Sequence, residues 1–220
     1  MAMKVDLHCH TMQRSYCSSL DEELLIEHSI RSGLDGIVFT DHGRLPPSKN
    51  LERLNDKYHP FRVFVGIEIT ILMDSSRFYD YQDFIVVGLG NRIMESSWSY
   101  DKLLKWVRTN GGWISLSHPF RYNNILPQAI MDNPPDALEL YSTHIRAGLL
   151  SKIKVLAEKL GCQVVGVSDA HHVRDVGYSA VNLVKSVASD AGLVAELKKG
   201  AFELIKPITP GVSTAKASMP

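Results

Sequence analysis

Short apolar runs alternate along most of the chain with longer segments in which apolar residues recur every three or four positions. The short runs are rich in Val, Ile and Phe, which is typical of buried strands, whereas the longer segments have the period of an amphipathic helix. Strands that alternate with helices are typical of βα units around a largely parallel sheet or barrel. The pattern therefore predicts an α/β fold.

Seven segments are predicted as strands, because each is a short apolar run bounded by polar or turn residues. They are Lys4–Leu7, Gly36–Thr40, Phe61–Ile67, Asp83–Val87, Trp113–Leu116, Ala137–Tyr141 and Gln163–Val167. Segments with helical spacing lie between them. The predicted helices are Asp21–Ser32, Tyr100–Thr109, Leu149–Leu160 and a last one that ends with Val194–Lys199. The segment around Pro46 and Pro47 is predicted as a polar loop.

The chain has 220 residues and 45% hydrophobic content, a size for which one domain is the default. The 24 Lys and Arg residues balance 24 Asp and Glu residues. This balance excludes the broad positive surface that non-specific DNA binding or an anionic membrane requires. We expect one domain over residues 1–206 and a flexible tail over 207–220, where prolines and small polar residues offer little apolar surface.

The three cysteines have no CxxC spacing, so they predict neither a disulfide framework nor a zinc knuckle. No apolar run approaches the roughly 20 residues that span a bilayer. We therefore expect a cytoplasmic protein with no membrane partner. The sequence leaves the oligomeric state open.

Side chains of metal-ligand type stand at the carboxyl ends of five predicted strands. They are His8 and His10, Asp41 and His42, Glu68, His118, and Asp169 with His171. In a barrel of parallel strands these ends converge on one face, where such folds place their active sites. One His-x-His motif alone is equally compatible with packed or exposed histidines. Gathered together, however, these groups would repel or desolvate one another without cations, so the pattern predicts a metal site.

These residues belong to five motifs, namely Asp6-Leu-His-Cys-His-Thr11, Thr40-Asp-His42, Gly66-Ile-Glu68, Ser117-His-Pro119 and Ser168-Asp-Ala-His171. In this order, over roughly residues 4 to 180, they resemble the successive signatures of the PHP family, named for polymerase and histidinol phosphatase. The resemblance implies a distorted seven-stranded β/α barrel, similar to a TIM barrel. It also implies two or three divalent metal ions at the C-terminal mouth and hydrolysis of a phosphoester.

The resemblance also implies which residues hold each ion. The implied ligands are His8, His10, Glu68 and Asp169 for the first ion, the bridging Glu68 with His118 for the second, and His42 with His171 for a third. Mixed imidazole and carboxylate ligation favours Zn, Mn or Fe over Ca or a fully hydrated Mg. The sequence does not choose among these three metals.

Two family ligand positions are not matched by a ligand here. The position after the His-x-His motif falls on Ser15 or Tyr16, and a later histidine position falls near Ile85. Asp83, Asp80 or water are the candidates to complete the second and third sites. The number of ions therefore stays at two or three.

If two such ions lie about 3.5 to 4 Å apart, they would lower the pKa of a shared water, which could then attack phosphorus as hydroxide near neutral pH. Charge that develops on the phosphoryl oxygens needs further donors, and Arg121 is expected to bind substrate and to assist catalysis. Arg44 and His144 are further substrate-binding candidates. Asp41 is predicted as a catalytic residue, either as proton donor to the leaving group or, the favoured role, by orienting a ligand histidine.

The sequence thus predicts a metal-dependent phosphoric ester hydrolase that acts on a small phosphomonoester or a nucleotide-type phosphodiester, with nucleic acid only as a substrate. Two alternatives stay open. The stretch from Ser168 to Gly177 resembles the histidinol phosphatase branch, and some PHP modules in polymerases bind partners without catalysis. Retained Glu68 and Asp169 favour a working site, because a scaffold has no physical need for unneutralised carboxylates. The loops expected to select substrate are Leu45–Tyr58, Phe120–Leu126 and Ser142–Arg146.

Overall fold

Nine strands and six α-helices are present in the computed structural model, which describes residues 1–74, 80–89 and 97–207. The strands are β1 (Met3–Cys9), β2 (Gly36–Phe39), β3 (Arg62–Leu72), β4 (Tyr81–Val87), β5 (Trp113–Leu116), β6 (Ala137–Tyr141), β7 (Gln163–Gly166), β8 (Ala180–Leu183) and β9 (Phe202–Ile205). The helices are α1 (Glu22–Arg31), α2 (Ser48–Lys57), α3 (Tyr100–Thr109), α4 (Gln128–Asp132), α5 (Leu150–Leu160) and α6 (Asp190–Lys199). The predicted flexible tail lies outside the described residues, apart from residue 207.

Hydrogen bonds join the strands in the order β7-β6-β5-β4-β3-β2-β1-β8-β9. Neighbours are parallel from β1 to β3 and again from β5 to β7. β4 is antiparallel to both of its neighbours, and β8 is antiparallel to β1 and to β9. Four of the eight neighbouring pairs are therefore parallel and four antiparallel, so the sheet differs in two ways from the largely parallel one that was predicted. β4 runs in the reverse direction, and β8 and β9 are strands that the apolar pattern did not reveal.

The edge of β1 that does not pair with β2 pairs with two different segments, and this double pairing closes the barrel. Residues Met3–Val5 pair with β8, whereas the last residues of β1 pair with the segment that follows β7. There the Asp169 N–H donates to the His8 carbonyl over 2.9 Å, and the His10 N–H donates to the Ala170 carbonyl over 3.1 Å. The sheet is thus a nearly closed barrel where the parallel strands end, and the predicted barrel fold is confirmed.

Gly166 allows β7 to approach β8 closely. A Cβ atom at this position would lie 2.3 Å from the Ser179 hydroxyl oxygen and 3.2 Å from the Ala180 carbonyl oxygen. Any side chain here would push the two strands apart, so glycine is required by the closure of the barrel.

Local capping signals set several helix ends. Asp21 accepts hydrogen bonds from the N–H groups of Glu23 and Leu24 and so caps α1, and Gly161, with φ of 67°, ends α5. α2 corrects the sequence prediction, because a helix lies where a polar loop was expected. Only Leu54 of α2 is buried, so its apolar stripe is too narrow for the pattern to indicate a helix. None of the helices within the described ranges has the length and apolar content needed to cross a membrane.

Helices cover the sheet through three clusters of buried apolar side chains. α3 and α5 contribute Leu103 and Ile153 to a cluster with β3 to β6. α6 contributes Leu197 to a second cluster that contains the fully buried Trp113, and α1 contributes Leu25 to a third. These clusters hold the strands in register, and the strand ends at the mouth are thereby fixed relative to one another.

Candidate metal centre at the mouth of the barrel

All seven predicted metal ligands lie together at the end of the barrel where the parallel strands finish. They are His8, His10, His42, Glu68, His118, Asp169 and His171. Five follow a strand, as expected, and His8 is the last residue but one of β1, whereas Glu68 lies within β3 and pairs with Ile85 of β4. β3 extends past the mouth because it continues as a hairpin with β4, so the predicted end of this strand is corrected by five residues, from 67 to 72.

Two buried carboxylates, each about 1% exposed, form the centre of this cluster. The Glu68 oxygens lie 3.6 Å from His8 Nε2 and 3.3 Å from His10 Nε2. They also lie 2.9 Å from His42 Nδ1 and 3.4 Å from His118 Nε2. The Asp169 oxygens lie 3.3 Å from His8 Nε2 and 3.4 Å from His10 Nε2. His8 and His10 are therefore shared by both carboxylates.

The arrangement of donor atoms fits divalent cations. Glu68 Oε1, Asp169 Oδ1 and His118 Nδ1 are buried and have no hydrogen-bond partner. An unsatisfied buried polar atom costs about 1–3 kcal/mol, and cations that accept both nitrogen and oxygen donors remove this cost. Among the described residues, four groups have potential ligand atoms within 4.8 Å of one another. They are His8/His10/Glu68, Glu68/Asp83/His118, His144/Asp169/His171 and His10/Cys17/His42/His171.

The backbone is strained at two of these residues. His118 has φ of 26° and Asp169 has φ of 55°. Both values lie in the left-handed region, which residues other than glycine rarely adopt. Such a conformation costs about 1–3 kcal/mol and persists where the surrounding structure enforces it. The strain turns both side chains into the mouth, and its concentration at candidate ligands is typical of a functional site.

Imidazoles and carboxylates in the cluster shift one another's pKa values. Burial lowers the pKa of His8, but the carboxylates of Asp169, Glu139 and Glu68 outweigh it and hold the pKa well above its usual value. Burial raises the pKa of Glu68, yet the positive His8 and the neighbouring His118 hold it well below its usual range. Burial, with the nearby His10 ring, lowers the pKa of His171 to about 4. Bound cations would replace the protons that neutralise the carboxylates, so metal binding is coupled to proton release.

Glu139 was missed by sequence reasoning, although it contacts two candidate ligands. It lies fully buried in β6, where Oε1 accepts a hydrogen bond from His8 Nδ1 over 2.7 Å and Oε2 accepts from the His118 N–H over 2.7 Å. The first bond leaves Nε2 of His8 to face the cluster. One signal was present in the sequence, because a single carboxylate inside the apolar strand Ala-Leu-Glu-Leu-Tyr must find a partner if it is buried.

Asp41 holds the loop that follows β1. Its carboxylate accepts hydrogen bonds from the Thr11 N–H and hydroxyl, from the Ser15 hydroxyl and from Arg14 Nε, over 2.6 to 2.8 Å. The Ser15 oxygen lies 3.2 Å from His10 Nδ1, so Asp41 positions His10 through Ser15. Four donors use all four acceptor sites of the carboxylate. This geometry favours the orienting role of Asp41 over a proton-donating one.

The two unmatched ligand positions have different structural outcomes. Because β4 runs in reverse, its beginning lies at the mouth, and Asp83 Oδ2 comes within 3.7 Å of His118 Nε2, whereas Ile85 is buried in the core. Asp80 accepts a hydrogen bond from the Asn123 amide instead. On the other side, the Tyr16 side chain is 94% exposed, which takes it away from the ligand groups.

A cavity of about 510 Å³ lies beside the cluster. Its lining includes the predicted substrate-binding residues Arg121 and His144, and also Arg174. His144 Nδ1 lies 2.6 Å from Asp169 Oδ2, so this histidine is closer to the metal centre than its sequence position indicated. The predicted substrate-binding Arg44 places its guanidinium 5.7 Å from the ring centre of Tyr16. The cavity thus combines positive charge with the candidate ligands.

Comparisons with known proteins agree with this picture. A family model described as PHP-associated matches residues 150–202. The DNA polymerase/3′-5′ exonuclease PolX of Bacillus subtilis is 23% identical over an alignment of 201 residues, and the match covers 78% of this chain and 35% of PolX. The chain thus spans about a third of the length of this relative.

Solved structures show the same fold at low sequence identity. A two-domain protein of Bacteroides vulgatus, containing a predicted PHP-like metal-dependent phosphoesterase, matches with a TM-score of 0.67 and 15% identity over 94% of this chain and 65% of its own. An amidohydrolase of Chromobacterium violaceum, solved with bound sulfate and without metal, matches with a TM-score of 0.61 and 12% identity over 93% of this chain and 98% of its own. Together with the sequence matches, these structures confirm the resemblance of this chain to the PHP family, whose barrel fold it shares.

Proposed function

We propose that this chain is a metal-dependent phosphoesterase that hydrolyses a small phosphomonoester or a nucleotide-type phosphodiester. The observation that supports the proposal most directly is the buried pair of Glu68 and Asp169. The pair lies among six histidine side chains, and each carboxylate keeps one oxygen without a hydrogen bond. Divalent ions bound to such a donor set supply an activated water and neutralise the charge of the phosphate.

The proposed ligands fall into three groups around the shared carboxylates. They are His8, His10, Glu68 and Asp169 for an inner ion, Glu68, Asp83 and His118 for a second, and His42 with His171 for a third. Asp83 takes the place of the family histidine expected near Ile85. The donor set of imidazole and carboxylate favours Mn, Zn or Fe, as expected from the sequence.

Residues behind the ligands fix the direction of the histidine rings. Glu139 binds Nδ1 of His8, and the Ser15 hydroxyl binds Nδ1 of His10, so that Nε2 of each ring faces the carboxylates. Asp41 acts in this proposal as a positioning residue that holds Ser15. Fixed rings keep the metal-binding geometry ready before substrate arrives, which removes a reorganisation cost from the reaction.

The substrate phosphate is proposed to bind in the cavity next to the cluster. Arg121 offers a planar set of N–H donors that matches two phosphate oxygens at once, and His144 lies between this cavity and Asp169. Arg44, on the loop after β2, is a second phosphate contact in the proposal. Positive side chains at this point stabilise the charge that builds on the phosphoryl oxygens.

Hydrolysis of p-nitrophenyl phosphate and bis(p-nitrophenyl) phosphate by the full chain, with Mn, Zn or Fe(II) added, tests the proposal. We expect metal-dependent turnover of at least one ester and its loss in the His8→Ala/His10→Ala double variant. The matched control is His28→Ala, which removes a histidine of α1 outside the ligand groups and should leave turnover unchanged. Turnover that survives in the double variant would contradict the proposal.

The two alternatives are separate outcomes of the same experiment. Preferred turnover of histidinol phosphate over both test esters would identify the histidinol phosphatase-like alternative. Stoichiometric metal binding with no turnover of any phosphoester would favour a binding module without catalysis. The unbonded buried oxygens of Glu68 and Asp169 argue against the second alternative, because a scaffold gains nothing from this cost.

A further inference from the structure

Cys17 lies at the outer edge of the metal centre. It is exposed on the loop after β1, and its sulfur lies within 4.8 Å of nitrogen atoms of His10, His42 and His171. The His10 ring lies close to both other rings, with ring centres 4.6 Å from His42 and 4.4 Å from His171. A thiol and three imidazoles thus share one small region of the mouth.

His10 has no nitrogen free for an outer ion. Its Nδ1 contacts the Ser15 hydroxyl, and its Nε2 lies 3.3 Å from Glu68 and 3.4 Å from Asp169, where the inner ion is proposed. His42 and His171 differ, because each uses Nδ1 for an oxygen of the inner group, which leaves Nε2 available. The donors that remain for an outer ion are therefore Cys17, His42 and His171.

Negative charge lies close by, on the inner side of the His10 and His171 rings. Asp169 is 1% exposed, and its Oδ1, which has no hydrogen-bond partner, lies 3.4 Å from His171 Nδ1 and 3.4 Å from His10 Nε2. Hence an unsatisfied negative oxygen faces the rings that border Cys17. A cation at the outer position would gain from this charge without needing the oxygen as a direct ligand.

We propose that Cys17 binds an outer metal ion as a thiolate together with His42 and His171, and so replaces the family ligand that Ser15 and Tyr16 do not supply. Three protein donors leave one coordination position for water or a phosphate oxygen, which is typical of catalytic rather than structural sites. A sulfur donor makes this position prefer Zn or Fe(II) to Mn or Mg. The inference rests on the metal centre of the proposed function but not on the reaction.

Cobalt(II) loading of the metal-free full chain tests the role of Cys17, because a thiolate bound to Co(II) gives a near-ultraviolet charge-transfer band. We expect the band in the wild type and in Cys162→Ser, a control that removes a cysteine whose thiol donates to the Pro135 carbonyl and which belongs to none of the four ligand groups of the described residues. Cys17→Ser should lose the band and about one equivalent of Co(II). Unchanged near-ultraviolet circular dichroism would show that its fold is intact.

A second variant separates a lost ligand from a disturbed loop. Cys17→Asp offers an oxygen donor at the same position, so it should regain the lost equivalent without the band and shift the competition between Zn and Mn towards Mn. A wild type that is fully loaded without the band, or a Cys17→Ser variant that keeps it, would overturn the proposal. If the band is present but no phosphoester is hydrolysed, the proposed function fails and the role of Cys17 stands.

Discussion

Glu139 binds two candidate ligands of the metal centre at once, through one oxygen to His8 Nδ1 and the other to the His118 backbone. The carboxylate is fully buried, so its negative charge acts at low dielectric and strengthens the basicity of His8. Glu139 does not need to contact a metal ion itself to have this effect. At the scale of single residues, Glu139, which lies behind the candidate ligands, is thus held as firmly as the ligands themselves.

Replacing Glu139 by Gln should weaken metal binding by about 10- to 100-fold, because the amide keeps the shape but loses the charge behind His8. Competition with a chromogenic chelator measures the affinity. Glu158→Gln, an exposed position on α5, is the matched control and should bind metal like the wild type. An equal affinity for Glu139→Gln and the control would show that the contact is only structural.

Replacing Arg121 by Ala should lower kcat/KM for a phosphoester by about 10- to 100-fold, since a hydrogen bond to a charged group contributes about 1.5–3 kcal/mol. Metal content, measured on the same preparation, should not change. Arg31→Ala serves as the comparison, because this arginine is two-thirds exposed on α1 and pairs with Glu27. A kcat/KM for Arg121→Ala equal to that of the comparison would remove Arg121 from the proposed site.

At the scale of elements, the reversed direction of β4 changes which residues reach the mouth. The beginning of this strand lies on the mouth side of Glu68, so Asp83, which pairs with Thr70, joins the ligand groups, and Val87, which pairs with Gly66, does not. Thr70 and Tyr122 donate hydrogen bonds to the two oxygens of Asp83 and hold its carboxylate in place. In the proposed centre, Asp83 would therefore offer a carboxylate where the family pattern has an imidazole.

Replacing Leu103 by Ala should lower the free energy of unfolding by about 2–5 kcal/mol, because this α3 side chain is fully buried against the sheet and its loss leaves a cavity. Urea denaturation measures the change, with an unchanged m value if both states keep their compactness. Lys102→Ala, an exposed neighbour on the same helix, should stay within about 0.5 kcal/mol of the wild type. Similar values for both variants would mean that α3 contributes little to the packing.

At the scale of the whole molecule, closure of the barrel at the mouth brings the candidate metal ligands together. Asp169 is brought next to His8 by the hydrogen bonds between β1 and the segment after β7, although 161 positions separate them. Ligands from distant parts of the chain thus depend on the same closure. A cation bound between them stabilises the folded chain, because the unfolded chain has no such site.

Removal of metal should therefore lower Tm by about 5–15 °C, from a binding contribution of about 3–4 kcal/mol at a metal concentration of 100 to 1,000 times Kd. Differential scanning calorimetry before and after chelation, followed by addition of Mn or Zn, gives the shift and its reversal. The His8→Ala/His10→Ala variant controls for effects of the chelator and should show a much smaller shift. A wild-type Tm that does not respond to metal would contradict binding at the mouth.

Much of the fold follows from local pattern. Six of the seven predicted strands have bounds within a few residues of the observed ones. An apolar run between turn residues can be recognised as a strand from the local sequence alone. α2 was missed because it buries only Leu54. β8 and β9 are no shorter than β2, β5 and β7, but β9 has no fully buried residue, and both strands are defined by their pairing with β1 and with each other. The motif order also indicated the family resemblance, which the comparisons confirm.

The sequence by itself determined the alternation of strands and helices and the side chains that stand at the strand ends. Tertiary structure alone decided the direction of β4, the pairing of His8 with Glu139 and the approach of Cys17 and His144 to the ligand groups. The physical reason is the separation along the chain over which each kind of interaction acts. Hydrophobic period and turn chemistry act between neighbours in the chain, whereas the distances within a metal centre depend on how closely packed layers bring remote segments together.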